Sequence, residues 1–180
     1  MDASYAATLW RLLGLWALVC ANGFFVAAEF SIVTVRKTRI DQLIAEGHRR
    51  AKAVRRAVTA PDRYIAATQL GITMASLALG WVAEPALASL IERPLAALPP
   101  MVAATTAHSI AVAISFAIVT ALEIVFGELT PKWIALERSE ATAMWLVGPL
   151  EIFMQIFSPF IRLVHVTAQT VIKLVGLHGA

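Results

Sequence analysis

The chain is poor in what a soluble enzyme is built from. Of its 180 residues only 15% are charged, while 59% are hydrophobic; soluble domains run near ~25% and ~45–50%. That shortage of charge excludes a disordered segment and a nucleic-acid-binding arm. Cys20 is the only cysteine, so no intramolecular disulfide can form, and no Cys/His spacing describes a zinc site. His48, His108, His165 and His178 are scattered, each without a second ligand one turn away. HExxH, GxSxG, P-loop and GxGxxG patterns are missing. The acids of the apolar runs are Glu at unmatched positions, which does not suit an intramembrane protease. The chain is expected not to be an enzyme.

What it has is long apolar runs, with a mean hydropathy of +0.73. At ~20 residues per passage there is room for three or four membrane spans. The first covers about 9–35. It has no small-residue cleavage site and runs into Glu29 and a basic segment, so it is a retained span rather than a signal peptide. The second covers about 64–82 and ends at Glu84-Pro85. Its small residues Gly71, Ala75, Ser76 and Gly80 permit close helix approach. The third covers about 101–126. Pro131 lacks a backbone donor and should break that helix near Gly127 to Pro131.

Between the first two spans, about 40–60 reads as one amphipathic helix rich in Arg, ended by Pro61-Asp62. It is read as a cytoplasmic helix against anionic headgroups, not as a nucleic-acid binder. The stretch of about 141–177 reads either as a fourth span or as a juxtamembrane hairpin turning near Ser158-Pro159. Arg162 and Lys173 favour the hairpin. Lys and Arg crowd the loop from Arg36 to Arg63, which places that loop in the cytoplasm and the N-terminus outside. A hairpin then leaves the C-terminus cytoplasmic. The fold class is an all-α integral membrane domain of three spans plus juxtamembrane helices.

Polar residues inside apolar runs are functional candidates by default, because each costs free energy in lipid. Glu128 sits at the expected helix break, where freed carbonyls and a carboxylate make a hard-oxygen cage suited to Mg²⁺, Ca²⁺ or Na⁺. The competing reading pairs it with Lys132 on the next turn. Asn22 is the only asparagine and lies mid-span. Ser76 and Thr73 offer neutral oxygens from the second span. Glu29 and Glu123 are further intramembrane acids, candidates for a vestibule or for coupling to Na⁺. Oxygen donors on three spans without a Cys or His pair argue for a hard cation over zinc or copper.

Three stretches, Asn22 to Ile40, Thr68 to Pro85 and Phe126 to Leu136, together resemble the transmembrane domain of CorC-type proteins, bacterial relatives of the cyclin M magnesium transporters. The resemblance implies Mg²⁺ export across the bacterial plasma (inner) membrane by a homodimer. It transfers an ion-binding role to Asn22, Ser76 and Glu128, with the backbone of Gly127 as a further ligand. It also implies a cytoplasmic CBS module after Ala180, absent from this chain, so ATP regulation is not assigned here. Val26 stands where many relatives carry serine, and Ser76 where many carry asparagine. The alternative function is a Mg²⁺-sensing membrane anchor that regulates another transporter.

Overall fold

The computed structural model describes residues 3–95 and 104–174. Among them there are helices and no strands: α1 (Ala3–Thr34), α2 (Lys37–Ala45), α3 (Ala51–Thr59), α4 (Pro61–Leu95), α5 (Ala104–Leu122), a π-helical turn (Glu123–Leu129), α6 (Thr130–Glu137), α7 (Ser139–Ile156) and α8 (Ser158–Leu174). Three stretches are long and apolar enough to cross a membrane: Leu9–Thr34, Pro61–Val82 and Ser109–Glu137. The protein is therefore an all-α membrane protein. Apolar side chains exposed along these stretches, among them Trp16, Leu77 and Phe116, find in lipid the apolar surroundings that water would deny them.

The second stretch starts with Pro61 as its first helical residue, a position where the missing N–H would have no helical partner anyway. The apolar stretch ends at Val82, beside the expected Glu84-Pro85, but the helix itself does not. Helix α4 continues to Leu95. The expected start of the third span, 101–103, lies outside the described residues.

The single basic helix expected over 40–60 is instead two helices. Gly47 has φ of 90°, the left-handed region that glycine enters at no steric cost. Around it His48 N–H donates to Leu43 O and Gly47 N–H to Ile44 O, both at 3.0 Å. This pair of bonds closes the end of α2 in a Schellman arrangement. The apolar spacing carried through the turn, which is why the two helices read as one.

The third stretch deviates from α-geometry where expected, but it does not come apart. Thr130 N–H donates to Val125 O, five residues back. The seven residues of the π-helical turn absorb the defect, and Pro131 becomes the second residue of α6. Gly127 O would accept from residue 131 in an α-helix, and residue 131 is proline. Widening the turn relieves that mismatch without interrupting the rod.

The C-terminal stretch turns at Phe157, beside the expected Ser158-Pro159, but α7 and α8 meet at 84°. A pair of helices bent at such a break is a broken span or a re-entrant loop, the two alternatives of the sequence reading. Residues 175–177, the expected end of the second arm, lie outside the described residues.

The chain forms two compact units, Met1–Gly23 with Thr73–Thr130, and Phe24–Ile72 with Pro131–Ala180. In the first, Leu15 and Val19 of α1 pack with Leu79 of α4 and Val119 of α5. In the second, a larger core joins Phe25, Ile32, Ile40, Val54, Val147 and Leu150. There the ring of Phe25 lies directly against Gly71.

Candidate functional site

Four of the first unit's residues form two bonded pairs, Asn22 with Gly127 and Ser76 with Glu123. Asn22 of α1 is 3% exposed, and its Nδ2 donates to Gly127 O at 3.3 Å. That carbonyl is the one whose α-helical donor is removed by Pro131, so the amide of α1 supplies a donor where the proline removed one. A carbonyl only accepts, which fixes the amide orientation: Nδ2 faces Gly127 and Oδ1 points away from it. Asn22 Oδ1 is buried with no hydrogen-bond partner among the described residues. Leaving such an acceptor unpaired costs about 1–3 kcal/mol. Close approach at this point needs a glycine: a Cβ on Gly127 would stand 3.1 Å from Asn22 Nδ2 and 3.5 Å from Val19 O.

The second pair links α4 to the same π-helical turn. Ser76 Oγ donates to Glu123 Oε1 at 2.5 Å. Both side chains are half-buried. The donated proton satisfies one carboxylate lone pair and leaves the serine oxygen's own lone pairs unused.

Glu128 follows Gly127 and is exposed, with no ion pair or hydrogen bond among the described residues. Its competing assignment, a pairing with Lys132, does not occur. Lys132 Nζ instead lies 4.5 Å from the centre of the Phe30 ring, a cation–π contact. Thr73 is exposed on α4. Thus α1, α4 and the π-helical turn bring Asn22 to Gly127 and Ser76 to Glu123. Among the described residues no three His, Cys, Asp or Glu gather as a metal-binding group.

Glu29 belongs to the second unit, where it accepts from the buried Thr68 Oγ1 at 3.1 Å. Sequence reasoning did not find Thr68 as its partner, because one polar atom in an apolar run carries no spacing signal. Val26 is buried and apolar.

The second unit also holds a network that sequence reasoning did not find. Glu151 of α7 accepts two bonds from Arg56 Nη2, at 3.0 and 2.9 Å, and one from Tyr64 Oη at 2.8 Å. It ties α3 and α4 to α7. The hydrogen bonds to Glu151, and then its charge, hold the Arg56 guanidinium above its ordinary pKa. No spacing rule predicts a bond between residues 95 positions apart.

A family model described as Cyclin M transmembrane N-terminal domain matches residues 13–180. The chain is 40% identical over 172 residues to the UPF0053 protein YhdT of Bacillus subtilis, covering 94% of this chain and 36% of that protein. It is 43% identical over 162 residues to the UPF0053 protein YhdP of the same organism, covering 89% and 36%. An uncharacterized protein of Mycobacterium tuberculosis, Rv1841c, is 37% identical over 162 residues, covering 89% and 45%. The chain therefore spans less than half the length of these curated relatives.

Proposed function

The chain belongs to the cyclin M transmembrane domain family, and we propose that it carries Mg²⁺ out across the bacterial inner membrane. The ion would pass an oxygen-lined site formed by Asn22, Ser76, Gly127 and Glu128. The observation that carries this reading is the buried, unpartnered Oδ1 of Asn22. It is held by an amide whose nitrogen is already committed to Gly127. An acceptor fixed in place and lacking a donor suits a cation.

Mg²⁺ gives up its water reluctantly, keeps several waters in most sites, and needs oxygen ligands at about 2.0–2.1 Å. A site with one free carboxylate and neutral oxygens matches that demand better than a dense acidic cage would, because the ion must also leave. Glu128 supplies the charge. Ser76, oriented by Glu123, supplies a hydroxyl oxygen. Glu123 and Glu29 attract cations along the path, and Na⁺ is the coupling ion they would suit. The working form is a homodimer, with the basic loop of α2 and α3 in the cytoplasm and the N-terminus outside. A cytoplasmic CBS module in the longer protein would regulate it.

The test is Mg²⁺ flux in liposomes holding this chain, with and without a Na⁺ gradient. Glu128→Gln keeps the shape and loses the charge, and flux should fall to the level of empty liposomes. Wild-type flux in that variant would end the charge argument. Mg²⁺ binding without any flux in the unaltered chain would favour a sensing anchor instead.

A further inference from the structure

The second unit contains a cavity of about 650 Å³ between the first turn of α4 and the start of α8. Its polar wall holds Arg63, Arg162 and Asp62 with the neutral Ser158 and His165 beside them, and its apolar wall Met154, Ile161 and Val166. The arginines of α3 are already occupied, Arg55 by Asp41 and Arg56 by Glu151. Arg63 and Arg162 have no carboxylate partner among the described residues; Arg162 Nε donates only to Ser158 O, at 3.3 Å. Asp62 is likewise without an ion pair there. Two arginines and one aspartate leave one positive charge facing an apolar wall.

The location is interfacial by two independent signs. The stretch able to cross the membrane begins at Pro61, so Asp62 and Arg63 sit at its edge. On α8, Ser158, Arg162, His165, Gln169 and Lys173 recur at helical spacing and form one polar stripe. Leu163, Val164, Val171 and Leu174 of the same helix are exposed and apolar. A helix so divided lies in the plane of the interface.

We propose that this cavity seats an anionic phospholipid of the phosphatidylglycerol class. The phosphodiester sits between Arg63 and Arg162, as guanidinium groups recognise phosphate oxygens through paired donors. Glycerol hydroxyls donate to Asp62, and an acyl chain leaves along Met154, Ile161 and Val166. The single negative charge of a phosphodiester matches the single positive charge of the wall. A choline or ethanolamine headgroup brings a cation that offsets its phosphate. Free phosphate has nothing to place on the apolar side.

The experiment is native mass spectrometry of the chain released from nanodiscs containing equal phosphatidylglycerol, phosphatidylcholine and phosphatidylethanolamine. Retained lipid should be enriched in phosphatidylglycerol. Arg63→Gln combined with Arg162→Gln should reduce that enrichment about thirtyfold, since each basic group near a surface contributes about 1 kcal/mol and about 1.4 kcal/mol is a factor of ten. Arg49→Gln with Lys52→Gln, which removes as much charge away from the cavity, should leave it intact. Val166→Trp fills the apolar wall without touching charge and should also displace the lipid, which keeps the test decisive if the arginine variant misfolds. Equal retention of the three lipids would overturn the proposal. So would an equal loss in the Arg49/Lys52 variant, or displacement of the lipid by millimolar inorganic phosphate.

Discussion

Adding one methyl group to Gly127 separates stability from ion binding. In Gly127→Ala the new Cβ would lie 3.1 Å from Asn22 Nδ2 and 3.6 Å from Asn22 Cβ. The first distance is a few tenths of an ångström too short, so the amide must retreat by that amount. Its bond to Gly127 O is already 3.3 Å long, near the end of the useful range. The retreat therefore removes most of that bond, at a cost of about 0.5–1.5 kcal/mol. Helix propensity works the other way, because alanine is favoured over glycine by about 0.8–1.0 kcal/mol in a helix interior. The two nearly cancel, and the thermal midpoint should move little.

Ion binding has no such compensation. Asn22 Oδ1 moves with its amide, and Mg²⁺ tolerates little departure from octahedral distances. A loss of even about 1.4 kcal/mol is tenfold in affinity. Titration calorimetry with MgCl₂ in detergent should show at least that loss, while circular dichroism melting of the same sample stays near wild type. Wild-type affinity in the Ala variant would refute the placement of Asn22 Oδ1 in the site. A large drop in melting temperature would show that the amide–carbonyl bond carries more of the packing than its length implies.

Three other outcomes are expected. Gly71→Ala drives a Cβ into the Phe25 ring, which is also packed on Phe24 and Phe153 at centroid distances of 4.9 and 4.8 Å. It should destabilise the chain by about 1–3 kcal/mol, read by thermal melting, and an unchanged midpoint would mean that the ring swings clear. Gly80 is exposed with no atom near a would-be Cβ, so Gly80→Leu should leave the protomer folded but weaken a dimer built on this face; light scattering that still finds the dimer places the interface elsewhere. A reporter fused after Ala180 should be active in the cytoplasm, and periplasmic activity would make α7 and α8 one bent span.

How much of this was legible depended on whether the deciding interaction is local. Pro131 was legible because a proline removes its donor from a known carbonyl four residues earlier. Pro61 was read as a stop and is a start, since the residue type marks a boundary without saying on which side the helix lies. Gly47 was hidden by apolar spacing that continued across it. The elbow at Phe157 was placed to within a residue, but no local residue signal gives its 84° angle. Glu151 was invisible as a hub, because its partners Arg56 and Tyr64 are on other helices.

The same distinction orders the polar residues of the spans. Read singly, Ser76 was a ligand and Glu123 a vestibule acid, two roles for two residues. Joined at 2.5 Å, they are one unit. The serine proton is committed to the carboxylate, so the oxygen can present lone pairs and nothing else. The hydrogen bond to an anion also makes that oxygen more electron-rich. Asn22 and Gly127 share this logic, since the carbonyl fixes which amide atom is free. In both pairs the π-helical turn supplies the acceptor and another helix supplies the donor. A regular α-helix through Glu123–Leu129 would have left Gly127 O facing Pro131 with no donor and rotated Glu123 relative to Glu128. The defect introduced by one proline thus accounts for both pairs, and the turn that holds them can be tested as a unit. Pro131→Ala restores the missing donor, draws Gly127 O back into the helical ladder and should release Asn22. The amide would then lose its fixed orientation, and Mg²⁺ affinity should fall even though helix content rises.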